Sequence, residues 1–496
     1  MSEENPRLDS THPCVPVATP ERSVAARARV SDACATGTAA PIDAPPRLRS
    51  ADRQRILPPM TLDQLIESDH PARAVWRFVE GLDLSLLYDR IRSRVNTPGR
   101  PASDPRIFVA SWLYAILYGV LSARRLEDLT THHNAFRWLR GGVPLNHHLL
   151  SDFLVEHLDF LENVFTHSVT VLQGEGLVDL DRVGQDGMRV RASAGAASFR
   201  RKETLEKLLE QAQAQIDKLQ SQTQAQTRPF TDKDVPADQK EPDRQAKPPS
   251  ARKQAARKRA AKERRERVQH ALERIPEMAA KKDEKDKKEA RVSTTDAEAT
   301  VMKMGDGGYR PAYNLQFSTT CDNKVIVGVE VAMIGSDQGL LPPMLDQIED
   351  RFARRPKEAL VDGGFANRKD IEKVQAGEGE KERCKVYAPV VKPKKEGVDR
   401  HAPHAGDSVQ VAEWRQRMGT VEAKEIYKER AATAELANAQ ARNRGLIRLL
   451  VRGVQKVKAV ALWFATVHNM ARGFALLASP SLATGTTPGL SCLPAI

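Results

Sequence analysis

The chain has 496 residues, of which 40% are hydrophobic, 5% aromatic and 29% charged. That is too polar for a membrane protein, and at roughly 150 residues per domain it leaves room for about three domains. Lys and Arg number 77 against 65 Asp and Glu, a net charge of +12; the five cysteines (Cys14, Cys34, Cys321, Cys384, Cys492) are odd in number and never stand at C-x-x-C spacing, which argues against disulfide frameworks and cysteine zinc sites.

The longest apolar stretch, Ala459 to Val467, is about half of the roughly 20 residues a spanning helix needs. The opening MSEENPRLDS lacks the basic and apolar blocks of a signal peptide. A cytoplasmic chain with no membrane partner is expected. Residues 1–50, rich in Ala, Pro, Ser and Thr without apolar periodicity, read as a disordered tail. Residues 51–175 then read as an all-helical block. Its signals are Ser68-Asp69-His70-Pro71 before Ala74, Val75, Phe78 and Val79, and Ser103-Asp104-Pro105 before the apolar run Ile107–Tyr118. Amphipathic helices follow at Arg124–Leu139 and from Asn146 to about Gln173. The short Gly-Gly-Val-Pro turn between them permits a helix-turn-helix, with His147 and His148 at the front of the second helix, though surface or capping roles suit these histidines as well.

After Gly176 the character changes. Leu177–Arg191 reads as a strand or hairpin, Phe199–Gln222 as a helix, Arg228–Ser250 as a linker and Ala251–Arg274 as a strongly basic helix. Residues 200–291 hold 26 basic against 17 acidic residues, three quarters of the whole excess charge. Such a patch attracts phosphates without regard to sequence, and a solvated charged helix is the plainer alternative. A hairpin signal follows at Tyr313–Thr319 and Val325–Ile334. Then come a helix at Leu340–Phe352, a short buried strand at Glu358–Asp362, a helix at Asn367–Gln375, a strand at Lys385–Val391 and a long helical region from about Val411 to Leu477. Strands that alternate with helices make the second half α/β with a mixed sheet, and residues 476–496 read as a flexible tail.

Three acids stand in unusual settings. Asp186 lies in RVGQDGMRV, an otherwise acid-free strand candidate; Asp362 ends the apolar run Ala359-Leu360-Val361 and precedes Gly363-Gly364. Carboxylates at strand ends are well placed for divalent cations, since ligands in open α/β sheets bind outside the carboxyl ends of strands. The third is Glu435. Tyr427, Arg430, Glu435 and Arg442 fall within roughly 140° of one helical face, which suits either a phosphodiester-facing surface or a plain ladder of ion pairs.

These stretches resemble the DDE transposases of bacterial insertion sequences. The likeness runs from about Ile56 to His468 and rests on LPPMTLDQLIESDHPARAVW, PGRPASDPR, LSDFLVEH, VGQDGMRVRASAGAASFRR, MKMGDGGYRPAYNLQFSTT, VDGGF and KEIYKERAATAELANAQARNRGL. The resemblance implies a ribonuclease-H-like mixed sheet flanked by helices at 176–475, a helical DNA-binding domain at 51–175 and a basic helical insertion at 192–310. It makes Asp186, Asp362 and Glu435 the catalytic, metal-holding triad for two Mg²⁺ ions, with Mn²⁺ able to substitute. The family's Tyr-x2-Arg-x3-Glu-x6-Lys signature maps onto Tyr427, Arg430, Glu435 and Arg442. Two departures stand out: four residues separate Arg430 from Glu435, and Arg replaces Lys at 442; Glu429 and Glu425 are the fallback acids. Arg257, Lys258 and Arg259 join Tyr427, Arg430 and Arg442 as expected DNA contacts. The implied partners are terminal inverted repeats and target DNA, gripped by a homodimer at the nucleoid. A DNA-binding regulator without catalysis, or a nuclease without strand transfer, are the rival expectations.

Overall fold

Asp104 caps a deeply buried helix by accepting a hydrogen bond from Arg106 N at 2.9 Å, with Pro105 at the first helical position. His70 with Pro71, and Asn146, open two further helices in the same way. The computed structural model describes residues 60–94, 100–227, 251–376, 383–393 and 397–478. The expected tail at 1–50, the linker Arg228–Ser250 and most of the C-terminal tail lie outside these residues. The helical block comprises α1 (Pro71–Glu80), α2 (Ser85–Asp89), α3 (Pro105–Leu117), α4 (Ala123–His132), α5 (Asn134–Arg140), α6 (His147–Glu156) and α7 (Leu158–Gly174). Two helices predicted as continuous are broken, at His133 and at His157. At the start of α6, His147 is tied back to α4 by a 2.7 Å hydrogen bond with Glu127, while His148 is exposed.

The strands are β1 (Arg182–Arg191), β2 (Phe199–Arg200), β3 (Val292–Ser293), β4 (Thr300–Lys303), β5 (Tyr309–Thr320), β6 (Ile326–Ala332), β7 (Glu358–Leu360) and β8 (Lys385–Tyr387). Six of them form one mixed sheet in the order β4-β5-β1-β7-β8, with β6 also on β5. β5 runs antiparallel to β1, β4 and β6, whereas β1, β7 and β8 are parallel. This is the mixed α/β core expected of a ribonuclease-H-like fold, with its first strand at the centre. The later helices are α10 (Leu341–Phe352), α11 (Arg368–Ala376), α12 (Val409–Gly419), α13 (Val421–Arg430), α14 (Leu436–Asn443) and α15 (Val454–Leu477). The predicted helical region from Val411 thus splits into four.

Helix α15 joins the two halves. Trp463 Nε1 donates to Leu154 O at 3.1 Å on one side; on the other, the Asn469 side chain bonds both backbone groups of Ile326 at the sheet edge, each at 2.8 Å. One continuous apolar core therefore includes Trp112, Phe165, Phe317 and Trp463.

In chain order, an arm of two helices, α8 (Lys202–Thr227) and α9 (Ala251–Ala280), comes between β1 and β4, rooted on the β2–β3 pair. Buried and half-buried residues recur four and three apart on both: Leu205, Leu209, Ala212, Ile216 and Leu219 on α8, and Ala261, Arg265, Val268, Leu272 and Ile275 on α9. That spacing is the seam of an antiparallel coiled coil. Phe199 and Arg200, expected in the helix, instead pair with Val292 and Ser293 to close its root.

Candidate active site at the carboxyl end of the sheet

Asp186 occupies the middle of β1, and the glycine two residues before it determines what covers it. A Cβ on Gly184 would stand 3.1 Å from Thr433 Cγ2 and 3.7 Å from Ala434 Cβ. Side chains of a strand alternate, so Asp186 shares that face. The absent side chain lets the Ala431–Glu435 turn close onto the sheet beside Asp186.

The second acid is placed by register. β1 and β7 pair Gly184 with Leu360; the same parallel alignment carried two residues onward sets Asp362 level with Asp186 on the next strand. Asp362 accepts a hydrogen bond from Gly364 N at 2.7 Å and caps the short 3-10 turn Gly363–Phe365. A Cβ on Gly364 would approach Asp362 Oδ1 to 2.9 Å, so this tight cap needs a glycine.

Arg430 links the third acid to the first. Its Nη2 lies 3.8 Å from Asp186 Oδ2, and its Nη1 lies 3.8 Å from Glu435 Oε1. Asp186 also accepts from Gly187 N at 2.9 Å and from Asn438 Nδ2 at 3.1 Å. Burial raises the Asp186 pKa above the ordinary carboxylate range; Arg430 and the Gly187 N–H oppose this, and the charges of Asp362 and Asp337 add to it. Tyr427 is half-buried here. Burial raises its hydroxyl pKa, Arg430 opposes the rise, and the charges of Asp362 and Asp186 reinforce it.

The extra residue between Arg430 and Glu435 has a structural answer. Ala431–Glu435 is a π-turn set between α13 and α14. Such a turn bonds residue i to i+5, so residues five apart align much as residues four apart do in an α-helix. The insertion is absorbed locally, and Glu435 stays on the Arg430 face. Residues 60–156 match the family described as "Transposase domain (DUF772)", and residues 373–474 match "Transposase DDE domain". Both matches support a DDE transposase of an insertion element. No curated protein and no solved structure matches it. The first match covers the helical block through α6. The second reaches from α11 into α15 and holds Tyr427, Arg430, Glu435 and Arg442 of this transposase, but neither Asp186 nor Asp362.

Other predicted residues lie apart. Arg442 is exposed and has no ion pair among the described residues. Arg257 and Arg259 are exposed on the arm, while Lys258 is half-buried on the line of its seam. The fallback acids are otherwise engaged: Glu429 with Arg182 at 2.8 Å, and Glu425 with Lys428 at 2.6 Å.

Two residues at the site were not singled out from sequence. Asn438 is buried and bonds Asp186. Asp337 accepts from Asn314 Nδ2 at 2.7 Å and Gln316 Nε2 at 2.9 Å, with Arg189 Nη2 at 3.5 Å. Its position after the apolar strand β6 and before Gly339 is the same kind of signal that marks Asp362.

DDE transposases generally use divalent metal, and the donors here can be weighed for it. Among the described residues, no three His, Cys, Asp or Glu side chains stand close enough to enclose an ion. The chemistry nevertheless suits a hard cation: Asp186 in mid-strand and Asp362 just past the end of β7 offer carboxylate oxygens, and their mutual repulsion is what a cation relieves. Glu435 is 64% exposed at its side chain and leans on Arg430. Its joining a metal site requires an exchange of partner.

Proposed function

We propose that this transposase cleaves DNA at the ends of its element and joins the freed 3′-hydroxyls to target DNA by two-metal phosphodiester chemistry. What supports this reading is that Arg430 lies 3.8 Å from both Asp186 and Glu435, while the charge of Asp362 is felt at Asp186, three acids from distant parts of the sequence. Asp186 would hold both ions, with Asp362 and Glu435 each holding one. Bound there, Mg²⁺ or Mn²⁺ supplies Lewis acidity to the phosphodiester oxygens.

The chain's own residues have distinct tasks. Asn438 and the Gly187 N–H orient the Asp186 carboxylate. Arg430 holds Glu435 near Asp186 and presents its guanidinium to a phosphate. The Tyr427 hydroxyl, its pKa raised by burial, stays protonated and donates a hydrogen bond. Exposed Arg442 binds a neighbouring phosphate. The arm residues Arg257, Lys258 and Arg259 contact the backbone of the terminal inverted repeat or of target DNA. The working form is a homodimer on nucleoid DNA in the cytoplasm.

The test is to replace Asp186 or Asp362 by Asn and assay cleavage and strand transfer on element-end DNA, with gel-shift binding alongside. Loss of both reactions with binding intact supports the triad. Cleavage that survives in either variant removes that acid from it. A DNA-binding regulator is favoured by one feature, the engagement of Glu435 by Arg430. Wild-type protein that binds element ends and never cuts them would establish that reading instead.

A further inference from the structure

The arm's charge is not spread along it. Its outer half, residues 213–227 of α8 with 251–265 of α9, holds nine basic residues against two acidic ones. Its inner half, 202–212 with 266–280, holds four basic against six acidic. The antiparallel pairing brings each of these halves together across the seam, as the 3.1 Å hydrogen bond from Arg265 Nη1 to Gln213 Oε1 shows. Arg252, Arg257, Arg259 and Arg264 are exposed and have no acid partner among the described residues. Arg267 of the inner half, by contrast, stands 3.8 Å from Glu263 and Lys202 stands 3.8 Å from Glu206.

The root of the arm sits at the acid end of the sheet. The chain leaves β1 five residues after Asp186, and Arg274 of α9 meets Met333 Sδ at 3.4 Å. Met333 O accepts from Thr300 Oγ1 at 3.0 Å, and four residues further on lies Asp337. At 1.5 Å per residue, the middle of the charged half lies about 33 Å along α9 from its base, close to one turn of B-form DNA.

We infer that the outer half of the coiled-coil arm is a sequence-independent clamp for duplex DNA backbone, acting about one helical turn from the root of the arm, while the inner half is a spacer that leaves the duplex alone. This rests on the DNA reading above and assigns the grip to one half of one element. Stacking on bases is not its mode, because the described residues of α8 and α9 contain no aromatic side chain apart from His270. The seam residues are buried or half-buried and the four arginines are exposed, so these charges can change without unpacking the arm.

The experiment measures full-length protein binding to a mixed-sequence duplex of about 40 base pairs, roughly four helical turns, by fluorescence polarisation across a salt series. The outer variant carries Arg252→Gln, Arg257→Gln, Arg259→Gln and Arg264→Gln; the inner control carries Lys202→Gln and Arg267→Gln. The outer variant is expected to bind tenfold or more weakly, with a log–log salt slope shallower by about three. The inner control should match wild type, and Lys at the same four outer positions should restore binding, since a phosphate clamp needs charge and not a guanidinium. Circular dichroism of each variant checks that the helices persist. An outer variant with wild-type affinity and slope, or a Lys series that fails while folded, overturns the clamp; cleavage lost only in Asp186→Asn then leaves the transposase reading standing. Wild-type protein that binds no duplex overturns both.

Discussion

The two ends of the parallel strands are built to opposite electrostatic rules. At the amino end, a cavity of about 770 Å³ is lined by Asp181, Arg182, Lys357, Glu358 and Glu429 among others, and these charges answer one another. Arg182 reaches Glu358 at 2.6 Å and Glu429 at 2.8 Å, and Lys357 reaches Asp181 at 3.0 Å. At the carboxyl end, Asp186, Asp362 and Asp337 crowd together, and Arg430 divides itself between Asp186 and Glu435 at 3.8 Å from each. A cavity by itself therefore does not locate the chemistry here. An excess of acids over cations does: balanced ion pairs hold a structure together, whereas repelling carboxylates persist where something outside the chain is meant to neutralise them.

That contrast can be broken most decisively at the carboxyl end. Asp186→Asn and Asp362→Asn should each lower cleavage of element-end DNA by on the order of a thousandfold or more, with folding intact by circular dichroism. Glu435→Gln should do the same. Deleting Ala432, which removes the extra residue of the π-turn and leaves Arg430 and the glutamate four apart on an α-helical face, should preserve most of the activity. Loss of activity in that deletion equal to the loss in Glu435→Gln would show that the π-turn itself is required.

At the amino end the expected effects are on stability. His468 is buried, its Nε2 donates to Lys324 O at 2.7 Å, and burial pushes its pKa down to about 4. The unfolded chain binds a proton on this histidine near the ordinary value, whereas the folded chain does not until about pH 4. The contribution of His468 to stability is thus constant above that ordinary value and falls with pH below it, by about 3 kcal/mol at pH 4. His468→Gln should flatten this part of a denaturation-midpoint profile. Arg182→Ala strips the partner from two partly buried carboxylates and should cost about 1–3 kcal/mol once solvent screening is allowed for. Urea midpoints measure it, and the cleavage rate per folded molecule should not move.

How much of this was legible in the sequence varies with how local each cause is. Asp362 could be read because its apolar run and paired glycines are contiguous, and the basic helix because its charge is. The break at His133 could not. A helix unbroken from Leu126 and Thr130 would turn His133 and Arg137 inward, whereas the break lets Ala135, Phe136 and Leu139 be buried instead. That choice belongs to the surrounding core. β4 escaped notice because only Thr300 and Met302 of its four residues are buried. Spacing left Glu435 evenly balanced, and only the family likeness favoured it; the π-turn that reconciles its shifted position is visible in three dimensions alone. Asp337 matters through Asn314 and Gln316, more than twenty residues earlier on another strand.

The placement of α15 has a consequence for how such a chain is inherited and dissected. The last described helix sets its Trp463 against Leu154 of α6 and its Asn469 against the sheet, so the helical block and the sheet complete each other's interior through it. A gene truncated near its 3′ end loses more than a terminal helix: it strips the cover from both halves at once. Protein cut short ahead of α15 should accordingly aggregate rather than give a stable binding fragment.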